Sequence, residues 1–147
     1  MKIEKLEPVG VNVKNLDEAV KLFSGILGTT FVNHTEEAQK GEKAVTEHAD
    51  HTFEETKFKV ATDRTGYLTL IESIPPREKE GVRSLRFKVP NLEQAKAEMK
   101  QKGIRLLGEA KQGDAKVAIF SPDDLHGIRL VLIEHEAPAL VDAFLQK

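Results

Sequence analysis

Apolar and polar residues alternate along Val9-Gly10-Val11-Asn12-Val13, and the alternation returns 76 positions later in Leu85-Arg86-Phe87-Lys88-Val89. A period of two marks a strand with one buried face. Each run reaches an Asn-Leu pair, Asn15-Leu16 or Asn91-Leu92, and then enters a charged stretch of helical period. Asparagine is a favourable helix N-cap, and Asp17 and Glu18 stand where the helix dipole favours negative charge. Ala19, Leu22, Phe23 and Ile26 recur at helical spacing up to Gly28, and the second copy carries Ala95 and Met99 up to Gly103. An internal repeat fixes architecture before any other signal.

Each copy continues in strands. Residues 29–32 and 104–108 follow the two helices. Residues 57–61 and 67–72 then flank a turn at 63–66, while 116–120 and 128–134 flank 121–127. Both final strands close on Ile-Glu, at Ile71-Glu72 and Ile133-Glu134. The pattern predicts β-α-β-β-β written twice in one α+β domain over residues 1–147. The expected boundaries are 1–74 for the first module, 75–80 for a linker opened by Pro75-Pro76, and 81–136 for the second module. Residues 137–147 are expected to add a short amphipathic helix with Pro138 in its first turn. Residues 33–55 break the symmetry; long, polar and rich in histidine, they read as an extended loop or hairpin arm.

Composition narrows the function classes. Net charge is −2, which gives no electrostatic reason to expect nucleic acid or a membrane as partner. No apolar run approaches the roughly 18 residues of a spanning helix. The chain opens without a signal-type apolar segment and holds no cysteine, so a cytoplasmic protein without disulfides or thiolate ligands is expected. Aromatic residues make up 5% with no tryptophan, which disfavours a stacking platform for bases or flat drugs. There is no Gly-rich phosphate loop and no Gly-x-Ser-x-Gly elbow.

The doubled βαβββ pattern resembles the vicinal oxygen chelate superfamily of glyoxalases, methylmalonyl-CoA epimerases, extradiol dioxygenases and bleomycin-resistance proteins. The resemblance spans nearly the whole chain. It is closest to the epimerase and glyoxalase style in Val9-Gly10-Val11, Gly103-Ile104-Arg105-Leu106-Leu107 and residues 116–122. It implies two modules whose sheets curl around a cavity, a homodimer, and in the enzymes one divalent metal held from the first and last strand of each module. Carried over, those four ligand positions fall on Pro8, Thr69, Ser84 and Val131. Proline and valine have no side-chain donor, and neutral hydroxyls are poor ligands for first-row metals. No metal and no other cofactor is therefore expected.

Strand alternation puts other side chains beside these positions. Ser84, Arg86 and Lys88 share one face, Arg129 shares a face with Val131, and Asn12 shares one with Pro8 and Gly10. Two guanidinium groups in a partly desolvated pocket suit a carboxylate or phosphate. The candidate ligand-binding set is Asn12, Thr69, Ser84, Arg86 and Arg129. The expected partner is a small molecule, anionic if both arginines face it, and no catalytic residue is assigned. A solvated strand edge is the competing reading for both arginines. Among other candidates, Glu47, His48, Asp50, His51, Glu54 and Glu55 have spacings a metal could use if helical, and otherwise read as polar loop. His126 reads as a turn residue near the cavity mouth, His34 and His135 as surface, and Glu72 and Glu134 as structural. Three functions follow from this pattern. The leading one is a metal-independent binding protein on the superfamily scaffold. The others are an enzyme of lyase, isomerase or dioxygenase type with unusual or no metal ligands, and an interaction module with a collapsed cavity.

Overall fold

The computed structural model describes residues 1–45, 57–76 and 78–145. The first half runs Lys5–Leu6 (β1), Val9–Asn12 (β2), Leu16–Leu27 (α1), Phe31–Asn33 (β3), Thr35–Lys40 (α2), Glu42–Val45 (β4), Lys57–Asp63 (β5) and Leu68–Ile74 (β6). The second runs Gly81–Lys88 (β7), Leu92–Gln101 (α3), Leu106–Gln112 (β8), Ala115–Phe120 (β9), a 3-10 turn at Pro122–Asp124, and Leu130–Glu134 (β10). Leu140–Leu145 (α4) closes the described chain. The strands form one mixed sheet in the order β3-β5-β6-β2-β7-β10-β9-β8-β4, with β1 paired to β7. The repeat is visible in the pairing: β2 runs parallel to β6 and β7 runs parallel to β10. The halves join where β2 lies antiparallel to β7.

Why the Asn-Leu and Ile-Glu signatures recur together is a matter of helix ends. Asn15 Oδ1 accepts from the Glu18 N–H at 3.0 Å, and Asn91 Oδ1 accepts from the Gln94 N–H at 3.0 Å. The closing glutamates reach the same two helix starts. Glu72 accepts from the Leu16 N–H at 2.7 Å, and Glu134 accepts from the Leu92 N–H at 2.8 Å. Two of the four orphan donors of each helix are thereby satisfied, by a cap and by a strand-end carboxylate on the positive end of the dipole.

Helices α1 and α3 cover the outer face of the curled sheet. Leu16, Ala61 and Leu70 pack with Ala19, Val20 and Phe23 under α1. Val89, Leu92, Ala95, Met99, Ala118, Phe120 and Leu132 do so under α3. Leu22 and Ile26 share the helical spacing of Ala19 and Phe23 but face outward, 59% and 65% exposed.

The β5–β6 turn is organised by one carboxylate. Asp63 is fully buried and accepts from the Gly66, Tyr67 and Leu68 N–H groups and from the Thr65 hydroxyl. Asp63→Ala is expected to cost about 2 kcal/mol, because several backbone donors lose their acceptor at once. Urea denaturation of the variant checks this, and an unchanged midpoint would show that water replaces the carboxylate.

Of the 33–55 segment the described part, residues 33–45, is regular where its composition predicts a loop or hairpin arm. It contains α2 and β4, and β4 crosses to pair antiparallel with β8 of the other half. The polar strand β4 forms because β8, far along the chain, supplies its hydrogen-bonding partner. Among the described residues, no helix is long and apolar enough to cross a membrane.

Candidate functional site

The inner face of the sheet is built from register. Thr62 lies beside Thr69, Thr69 beside Gly10, and Gly10 beside Ser84, one residue from each of four strands. A Cβ at Gly10 would stand 2.5 Å from Ser84 Oγ, so a larger residue there would turn the Ser84 hydroxyl aside. Two residues further along β7, Arg86 lies beside Val131 of β10. Positions 69, 84 and 131 thus share this face, and Arg86 rises among them.

Part of the inner face is filled by the chain's own C-terminal helix. Leu140, Ala143 and Phe144 pack on Ala115, Val131 and Ile133. The Phe144 ring stacks on His34 with centroids 4.7 Å apart, and the Arg86 guanidinium lies 5.7 Å from its centroid. Arg86 is 8% exposed, and burial lowers its pKa to about 10 against the opposing pull of Glu7. Among the described residues it donates from Nη1 to the Pro8 carbonyl at 3.4 Å, one weak bond for a group with five donors.

His34 and His135 are buried, not on the surface as the sequence predicts. His34 Nδ1 meets Gln112 Oε1 and Nε2 meets Thr62 Oγ1, both at 2.9 Å, and Thr62 bonds Thr69 at 2.8 Å. The donors balance for a neutral ring with its proton on Nδ1, giving to Gln112 and accepting from Thr62. Burial lowers the His34 pKa to about 4, and the charge of Arg86 acts the same way, against the Gln112 bond and Glu37. His135 Nε2 lies 2.6 Å from Glu7 Oε2 in a second buried pair. Both partnerships join residues far apart in sequence, which local polarity cannot reveal.

Away from α4 the inner face is open. Phe58, Val60, Ile71 and Ile119 wall a cavity of about 170 Å³, with Arg83, Lys43 and Lys111 at its edge. The α2–β4 strap roofs it, and Gly41 permits the crossing: a Cβ there would stand 2.5 Å from the Lys111 carbonyl oxygen. Beside the cavity three donor side chains converge on Glu78 of the linker. Arg129 holds it through two bonds, at 2.6 and 3.1 Å, Arg83 Nη1 donates at 2.6 Å, and Asn12 Nδ2 donates at 2.8 Å. The Arg129 hydrogen bonds, with the charge of Arg83 and the Asn12 bond assisting, lower the Glu78 pKa to about 2 against its desolvation.

The five residues singled out from the sequence therefore fall into two groups. Asn12 and Arg129 meet at Glu78, whereas Thr69, Ser84 and Arg86 lie on the face that carries the His34 chain and Phe144. Arg83 and Glu78 escaped sequence reasoning. Strict alternation puts Arg83 on the outer face, but the register slips between Gly10 and Val11, and the left-over residue on β7 turns inward over the Phe58 ring at 5.4 Å. Glu78 sits in a linker with no period to read. His126 is exposed, at φ 56° in its turn. Residues 46–56, with His48, His51 and the glutamates around them, lie outside the described residues.

The residues at the four positions marked by the resemblance do not fit a divalent metal. Pro8 and Val131 offer no side-chain donor, Thr69 is hydrogen-bonded to Thr62, and the buried cation of Arg86 lies beside Val131. Among the described residues, no group of three or more His, Asp or Glu side chains is placed to hold a metal ion.

Solved structures of similar fold include methylmalonyl-CoA epimerases and a hypothetical protein. The Streptomyces coelicolor epimerase, a single-site variant in complex with 2-nitronate-propionyl-CoA, is 20% identical, covers 92% of this chain and 100% of its own, and superposes with a TM-score of 0.64. The Mycobacterium tuberculosis epimerase is 17% identical over 96% and 93% of the two chains, with a TM-score of 0.62. The hypothetical protein, from Bacillus halodurans, is 17% identical over 92% and 96%, with a TM-score of 0.63. At these identities the likeness shows the fold. No curated protein matches the chain. The family model of the Glyoxalase/Bleomycin resistance protein/Dioxygenase superfamily matches residues 5–132, and with the doubled βαβββ sheet curled around its cavity, the chain belongs to that superfamily.

Proposed function

We propose that this protein binds a small anionic molecule in the cavity between its halves, without a metal. The observation that carries the reading is the joining of an apolar wall, Phe58, Val60, Ile71 and Ile119, to a convergent set of cationic and amide donors, Arg83, Arg129 and Asn12. Arginine pairs of this kind suit carboxylates, which they hold bidentately. The cavity is smaller than the ~300–1,000 Å³ of pockets for drug-sized molecules, so the ligand is small. The donor-poor set at Pro8, Thr69, Ser84 and Val131 supports metal independence, and Thr69, Ser84 and Arg86 supply the polar part of the adjoining inner face.

An enzyme reading has to find its acid–base group elsewhere. Glu72 and Glu134 are engaged at helix starts, and His126 is exposed in its turn. Elemental analysis of protein purified without chelators, repeated after incubation with zinc, nickel, manganese and iron, tests the proposal. The expected result is far less than one metal per chain under every condition. One tightly held metal per chain would overturn the metal-independent reading and reopen the enzyme.

A further inference from the structure

Glu78 is the carboxylate in the site just described, and it belongs to the chain itself. Its two oxygens receive four hydrogen bonds from β2, β7 and the approach to β10, a coordination more like that of a bound ligand than of a surface ion pair. Exposed pairs of one lysine and one carboxylate contribute little and need no such convergence. Here two guanidinium groups surround one carboxylate. The carboxylate comes from the 75–80 linker, outside the hydrogen-bonded strands, and its side chain is about one-third exposed. Arg83 belongs to both places: its guanidinium binds Glu78 and lies 5.4 Å from the centroid of Phe58, which walls the cavity.

We infer that Glu78 is a built-in stand-in for the ligand's carboxylate, and that the ligand is a small aliphatic monocarboxylate whose acid group displaces Glu78 from Asn12, Arg83 and Arg129. The inference rests on the proposed function and adds the class of ligand and its internal competitor. The apolar wall receives the alkyl body, and the exchange of one carboxylate for another leaves the hydrogen bonds and the charge at the cluster unchanged. A tethered competitor weakens the apparent affinity by the fraction of time it holds the site. It also keeps two like charges from facing each other when no ligand is bound.

The test is calorimetric titration of sodium butyrate into the wild type, Glu78→Ala, and Glu78→Ala combined with Arg129→Ala, with sodium chloride at equal ionic strength as control. Glu78→Ala is expected to bind butyrate at least tenfold more tightly than the wild type, and the double variant to lose that gain. Acetate is expected to raise the Tm of Glu78→Ala and to leave that of the wild type unmoved. Should Glu78→Ala be unfolded in chloride, folding on addition of acetate supports the inference just as well. Butyrate binding that is equal in wild type and Glu78→Ala overturns the stand-in and leaves the anion-binding cavity standing. A folded Glu78→Ala that binds no butyrate, or an unfolded one that acetate does not rescue, overturns the stand-in as well. Absence of binding by every variant removes the carboxylate ligand along with it.

Discussion

Phe144→Ala is expected to destabilise the protein by about 3–5 kcal/mol, the range for truncating a buried phenylalanine. The ring is 4% exposed and sits in the apolar cluster of Ala115, Val131, Ile133 and Leu140. Truncation removes the transfer free energy of the ring and leaves a void whose walls are strands, which relax little. Two further losses concern polar neighbours. His34 loses a face-to-face stacking partner, and Arg86 loses the π-face near its guanidinium. Domains of this size have about 5–15 kcal/mol in all, so the variant is expected to be marginal at best. Urea denaturation should show a lower midpoint with an unchanged slope. Phe144→Leu should lose much less. A loss below about 1 kcal/mol for the alanine variant would mean that α4 does not hold the inner face in solution.

Acidification is expected to destabilise the fold well before its carboxylates protonate. His34 has a pKa of about 4 in the folded chain against 6.5 unfolded. Between those values the unfolded chain binds the extra proton, so stability rises with pH across the window and levels off above about 6.5. The sign follows from a neutral ring that must stay neutral: burial and Arg86 both oppose its charge, with the Gln112 bond and Glu37 pulling the other way. The whole window corresponds to about 3 kcal/mol. Glu78 acts lower. Its depressed pKa gives stability that is present above 4.5 and is lost as pH falls toward 2, by an amount solvent screening reduces. Urea midpoints from pH 7 to pH 4 should therefore fall first through His34, and His34→Asn should flatten that part of the profile. A wild-type profile already flat between pH 7 and 5 would show that water reaches the ring.

The two halves are legible because the same local physics is written twice. The alternating runs 9–13 and 85–89, the caps Asn15 and Asn91, and the terminal Glu72 and Glu134 each announce a strand, a helix start or a strand end within a few residues. The site is legible only in part. Parity places Asn12 and Arg129 on the inner face, but their meeting point depends on Glu78, and nothing in a proline-led linker says which of its glutamates turns inward. Arg83 is hidden by a bulge, which reverses parity after a single residue. His34 and His135 read as surface because a polar side chain reveals its burial only through its partners: Thr62 and Gln112 for one, Glu7 at the other end of the chain for the other.

Strand β4 has a consequence for the integrity of the molecule. It is made by the first half but hydrogen-bonded to Leu106–Gln112 of the second, while β1 at the start of the chain pairs with Gly81–Lys88. Each half is thus stitched to the other at two places besides their shared seam. Cutting the chain in the 75–80 linker would leave two fragments that remain hooked together as one particle. Two siblings cut from one pattern are, through these two borrowed strands, no longer interchangeable.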